Sequence, residues 1–116
     1  MMFALFHDFD GLTHYGRIPN PPLETTPQVE IFRMTSDADR DLMDDDLVDP
    51  INRLCDALLG PYDVDFLNAK QCWLLAGWLE ARLEQPIMPR LSEIYRKLDD
   101  FARRAVEYNT GVVIEL

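Results

Sequence analysis

From Pro89 onward, Leu91, Ile94, Leu98, Phe101 and Ala105 follow one another at alternating steps of three and four residues. Side chains at that spacing stack on one side of an α-helix and form a single apolar stripe. The stripe predicts a helix from Pro89 to about Tyr108, stopped by Asn109-Thr110-Gly111. A helix of that length needs an apolar surface to cover its stripe, so the rest of the chain must supply a core.

Two more helices precede it. Asp49 as cap and Pro50 at the first helical position open one, with Ile51, Leu54, Cys55 and Leu58 on its buried face and Gly60-Pro61 at its end. The other runs from about Asn68 to Gln85, with Cys72, Leu75, Leu79 and Leu83 as its stripe, Trp78 beside it and Pro86 as its stop. The short connection to the third helix predicts an antiparallel pair.

Strands flank the helices. Residues 1–18 read as a β-hairpin turned at Asp10-Gly11. Pro19, Pro21, Pro22 and Pro27 then forbid a ladder and give an extended connector. Val29 to Met34 alternates, with Val29, Ile31 and Arg33 on one face and Glu30, Phe32 and Met34 on the other. Val112 to Leu116 reads as a buried strand that must return to the N-terminal strands, because an apolar strand left at a sheet edge invites aggregation. The expected fold is a single α+β domain over residues 1–116: a small antiparallel or mixed sheet against three helices.

Charge narrows the partners. The chain carries 21 acidic and 11 basic residues, a net charge of −10. Nucleic acid and anionic lipid repel such a surface, whereas basic proteins are drawn to it. No apolar stretch approaches the roughly 20 residues that span a bilayer. Met1 to Phe6 is apolar but lacks the basic flank of a signal peptide, so the expected compartment is the cytoplasm. There Cys55 and Cys72 read as reduced core residues.

Residues 35–49 hold seven aspartates, Asp37, Asp39, Asp41, Asp44, Asp45, Asp46 and Asp49, against one base, Arg40. Aspartate competes poorly inside helices, which predicts an acidic loop. Asp37, Asp39 and Asp41 have the spacing of the first three ligands of an EF-hand, but the sixth position is Leu42 and the twelfth Val48, where the motif needs Gly and Glu. Clustered carboxylates can instead dock on a basic protein. The expected partner-binding residues are Asp37, Asp39, Asp41, Asp44, Asp45 and Asp46, with Trp73, expected to be partly buried beside Cys72, as an aromatic anchor. No cofactor, metal or catalytic set is expected. His7 and His14 read as strand residues, and Glu93–Lys97, Asp99–Arg103 and Asp100–Arg104 as pairs on a solvated helix face.

Two resemblances follow from these residues. Ala4-Leu5-Phe6-His7-Asp8-Phe9-Asp10-Gly11 resembles the first motif of the haloacid-dehalogenase-like phosphatases. That resemblance implies Asp8 as nucleophile, Asp10 as general acid/base, Mg²⁺ as cofactor, Thr35 or Ser36 as second motif and Asp99-Asp100 as the final acidic pair. Leu12 departs from the family's Thr or Val, and Asp10-Gly11 also serves a simple turn. In size, acidity and lack of a catalytic signature the chain resembles the immunity proteins of bacterial toxin systems. That resemblance implies an inhibitor that neutralises a basic toxin or enzyme by direct binding. A structural or adaptor subunit is the third expectation, with the oligomeric state left open by the sequence.

Overall fold

The computed structural model describes residues 1–60 and 63–116. It is α+β: a four-stranded antiparallel sheet, a two-stranded sheet and four helices. The strands are β1 (Met2–Phe6), β2 (His14–Tyr15), β3 (Ile18–Pro19), β4 (Val29–Arg33), β5 (Val64–Asn68) and β6 (Gly111–Glu115). The helices are α1 (Ser36–Asp44), α2 (Val48–Cys55), α3 (Ala69–Leu83) and α4 (Pro89–Tyr108).

The large sheet has the order β4-β1-β6-β5. β1 and β6 are its central strands, and both are near-continuous apolar runs. Such a run marks a strand buried on both faces. Phe3, Leu5, Val112 and Ile114 face the main core beneath the helices, while Met2, Ala4, Phe6 and Val113 face a smaller core. Phe9, Leu12, Ile18 and Phe66 pack against that smaller core. In β4 the expected alternation holds: Ile31 joins the smaller core, and Phe32 and Met34 the larger.

The N-terminal hairpin is not formed. Asp10-Gly11 does turn, with Gly11 at φ 70° and the Leu12 amide donating to the Phe9 carbonyl at 3.3 Å. Both edges of β1 are already occupied, however, by β4 and β6. The stretch that follows Gly11 instead forms its own small ladder, β2 on β3.

β5 was not expected. Its Asp65 is buried, which hides the strand's alternation in the sequence. The carboxylate is fully engaged: it accepts from Arg17 Nη2 at 2.6 Å, the Leu58 amide at 2.9 Å and the Phe66 amide at 2.8 Å. Arg17 and Gln71 also meet outward backbone groups of β5, at the Phe66 carbonyl and the Asn68 amide, so this sheet edge is blunted.

The expected acidic loop is a helix, and the described residues hold four helices. Thr35 caps α1, its hydroxyl accepting from the Ala38 amide at 3.3 Å, and Asp37 and Asp39 stand in the first turn where the helix dipole favours anions. Ala38 and Leu42, four apart, are buried and hold the helix down. Tertiary packing and charge placement outweigh the low helix propensity of aspartate.

α2 starts two residues earlier than expected and ends sooner. Leu47 is its cap position, Asp49 lies in its first turn, and Asp56 closes it in the left-handed region at φ 53°. Leu58 is consequently off the helix and 80% exposed, and Leu54 is also exposed. Of the expected Gly60-Pro61 stop, Pro61 lies outside the described residues. α3 and α4 hold nearly their expected bounds, and Asn68 with Gln71 forms a capping box at the start of α3. Cys55 and Cys72 are both free and buried. Burial pushes their thiols up, to about 11 and about 12.

Candidate functional site

The aspartates of α1 and the turn after it divide into two sets. One set faces the protein. Asp45 receives Arg82 at two points, Nη2 to Oδ1 at 2.7 Å and Nε to Oδ2 at 3.0 Å, and the Tyr95 hydroxyl donates to Oδ2 at 2.6 Å. Arg82 stands on α3 and Tyr95 on α4, so one carboxylate fastens three elements. The Arg82 hydrogen bonds hold the Asp45 carboxyl below its usual range against the opposing effect of burial, and Tyr95 adds to them. Asp41 pairs with Arg90 Nε at 2.6 Å, fastening α1 to the start of α4.

The other set faces water. Asp37, Asp44 and Asp46 are exposed, as is Asp49 in the first turn of α2, whereas Asp39 is half-buried with its Oδ1 shielded from solvent. The inward set thus ties down the backbone that displays the outward set. A pre-ordered surface loses less conformational entropy on binding than a mobile loop does. Of the six expected aspartates, Asp41 and Asp45 therefore serve the fold. Asp37, Asp39 and Asp41 stand on a helix, which turns alternate residues about 200° apart. Among the described residues no three His, Cys, Asp or Glu side chains are grouped as a metal site.

Trp73 is 67% exposed on α3, more than the partial burial expected of it, and it stands on a different helix from the aspartates. It borders a groove of about 500 Å³ between α3 and α4, with Gly77, Glu80, Arg103 and Val106. Trp78 turns inward and meets the Tyr95 ring edge to face at 6.0 Å.

The phosphatase-like residues do not converge. Asp8 Oδ1 accepts from the Asp10 amide at 3.0 Å and from Gln28 Nε2 at 2.7 Å, which makes it the brace of the turn. Thr35 caps α1 just past Met34, whose amide bonds the Met1 carbonyl at 3.0 Å. Asp8 follows the other end of β1, so the two motifs are separated by the length of that strand, roughly 17 Å. Asp99 and Asp100 pair with Arg103 and Arg104 on α4. The sheet is antiparallel throughout, unlike the doubly wound parallel sheet of that family.

One constellation was missed in the sequence. Glu30 on β4 accepts from Arg104 on α4 and lies 2.7 Å from His7 Nε2, while the His7 ring stacks on Tyr108 at 4.7 Å. Hydrogen bonds from Arg104 hold the Glu30 carboxyl below its usual range, and burial works against them. A carboxylate tied to a guanidinium is a poor proton acceptor near neutrality. The cluster clamps α4 to the sheet. The i,i+4 spacing of Asp100 and Arg104 was visible in the sequence, but nothing there linked Arg104 to a residue 74 positions away.

No protein-family model, curated protein or solved structure matches the chain. Among the described residues no helix is long and apolar enough to cross a membrane.

Proposed function

We propose that this chain is a protein-binding inhibitor that docks on a basic protein through the outward carboxylates of α1 and its following turn. The observation that carries this reading is the division of the aspartates. Asp41 and Asp45 tie the segment to α4 and α3, and Asp37, Asp44 and Asp46 are thereby presented to solvent on that frame. Long-range attraction from a net charge of −10 speeds encounter with a cationic partner, and desolvated carboxylate–guanidinium pairs then select among partners.

Such a protein fits the role of a cytoplasmic bacterial immunity protein that neutralises a basic toxin without doing chemistry itself. The size, the acidity and the rigid acidic helix all support that assignment. The test is inhibition: mixed with its purified basic partner, the chain should abolish the partner's activity at one-to-one stoichiometry. A tight complex that leaves the partner fully active contradicts inhibition.

A further inference from the structure

α3 differs from α4 in what it turns outward. α4 segregates its apolar stripe from a charged face. α3 (AKQCWLLAGWLEARL) has only Lys70, Glu80 and Arg82 as charged residues and is apolar on nearly every side. A helix of that composition is normally covered all round. Yet Trp73 is 67% exposed, Gly77 is exposed, and Val106 beside them on α4 is exposed as well. This is the rim of the 500 Å³ groove.

Gly77 is the second observation. Glycine is the poorest helix former apart from proline, and here it stands in the middle of a helix. A Cβ added at Gly77 would meet nothing within 4 Å, so no packing within the chain requires glycine there. A notch without a neighbour is what a close-approaching side chain from outside needs.

The charges choose the occupant. Glu80 and Arg103 face each other across the groove at 3.5 Å, the pair being exposed on both sides. Lys70 and Glu107, also exposed, add one charge of each sign, and Asp99, which holds Arg103 from its own helix at 3.0 Å, adds one further acid. On a chain of net charge −10 this patch is close to neutral. A basic partner is drawn to the acidic helix, whereas a neutral patch carrying both members of an ion pair complements itself.

We propose that the α3–α4 groove is a homodimer interface, closed by a second copy of this chain. A two-fold axis running along the groove lays α3 of each copy on α4 of the other. Glu80 then meets Arg103 of the second copy, and the reverse, as an isologous contact requires. With Glu80 level with Arg103 and the helices antiparallel, Gly77 is level with Val106. Val106 of the second copy seats in the Gly77 notch, and Trp73 is covered at the end of the same seam. The two bodies repel at long range because each is strongly acidic, so added salt strengthens this contact by screening. A basic partner on the acidic helix is weakened by the same salt, which separates the two surfaces experimentally.

Sedimentation equilibrium of the full chain at micromolar loading, in low and in moderate salt, tests this. The expected mass is twice 13.5 kDa, with the dimer fraction rising with salt. Gly77→Glu and Val106→Glu should each restore 13.5 kDa while keeping the wild-type helical circular dichroism. Independently of those variants, Trp73 in a Trp78→Phe background should lose most of its acrylamide quenching as the dimer forms. A wild-type mass of 13.5 kDa at every loading up to about 100 μM overturns the proposal. So does a dimer that both folded variants retain, or one in which Trp73 stays as quenchable as in the monomer.

Discussion

Asp45 and Arg82, 37 residues apart, meet in a two-point ion pair that ties the turn after α1 to the last turn of α3. Each side chain is about four-fifths buried, and the Tyr95 hydroxyl completes the carboxylate's shell. Fixing this contact fixes the direction in which the neighbouring carboxylates Asp44 and Asp46 point.

Asp45→Asn should therefore destabilise the fold by about 2 kcal/mol, the scale of charged hydrogen bonds lost from a half-dry site. The pH dependence has a definite sign. Asp45 has its pKa lowered by folding, so its contribution is present above its ordinary value of 3.8 and is lost as pH falls through the folded value. Glu30, lowered by Arg104 from 4.5, acts in the same direction. Urea unfolding should show the wild type well above Asp45→Asn at neutral pH, with the gap narrowing as pH falls below the ordinary value of 3.8.

Asp65 makes a sharper case. Asp65→Ala leaves the Leu58 and Phe66 amides without their acceptor in a buried place and should cost roughly 2–4 kcal/mol. Arg17, half-exposed, contributes less, and Arg17→Ala should cost about 1 kcal/mol. Thermal unfolding of the two variants checks the order. An Arg17 variant less stable than the Asp65 variant would contradict it.

Gly111 sits in β6 opposite Asn68, with the Leu67 carbonyl and the Phe66 ring where a Cβ would stand. Gly111→Ala should cost about 2 kcal/mol through overpacking. Because the Leu67 backbone is part of the clash, trimming Phe66 to Leu in the same chain should not restore stability, as a double-mutant cycle would show.

Asp56 closes α2 at φ 53°, a conformation in which a Cβ is strained. Its side chain is exposed, so Asp56→Gly should stabilise the protein by roughly 0.5–1 kcal/mol. An unchanged or lowered midpoint in urea would contradict that.

Where period and punctuation agree, the elements were legible. The three- and four-step stripe of α4 and its Asn109 stop give that helix its bounds, and Asn68 with Pro86 nearly does so for α3. The misreadings share one physical cause: a local preference outweighed by a distant partner. Asp10-Gly11 turns, but β4 and β6 already hold β1, and the all-apolar run Met2–Phe6 was the sign of that. The aspartates of α1 read as loop, because their partners Arg82 and Arg90 lie far along the chain, and the Ala38–Leu42 spacing was the weaker local sign. The same distance hid the role of Asp45. Within an acidic run, sequence alone cannot tell the carboxylates that hold the helix from those it displays.

The central claim is that the outward aspartates bind a basic protein. It is tested most directly by capture from lysate of the source organism with two baits, the wild type and the triple variant Asp37→Asn, Asp44→Asn, Asp46→Asn. These three are exposed, and asparagine tolerates the left-handed backbone of Asp46, so the fold should be unaffected. The expected result is one stoichiometric basic protein on the wild type, released as salt rises and missing from the equally stable triple variant. Equal recovery on both baits, or no basic partner on either, would contradict the account.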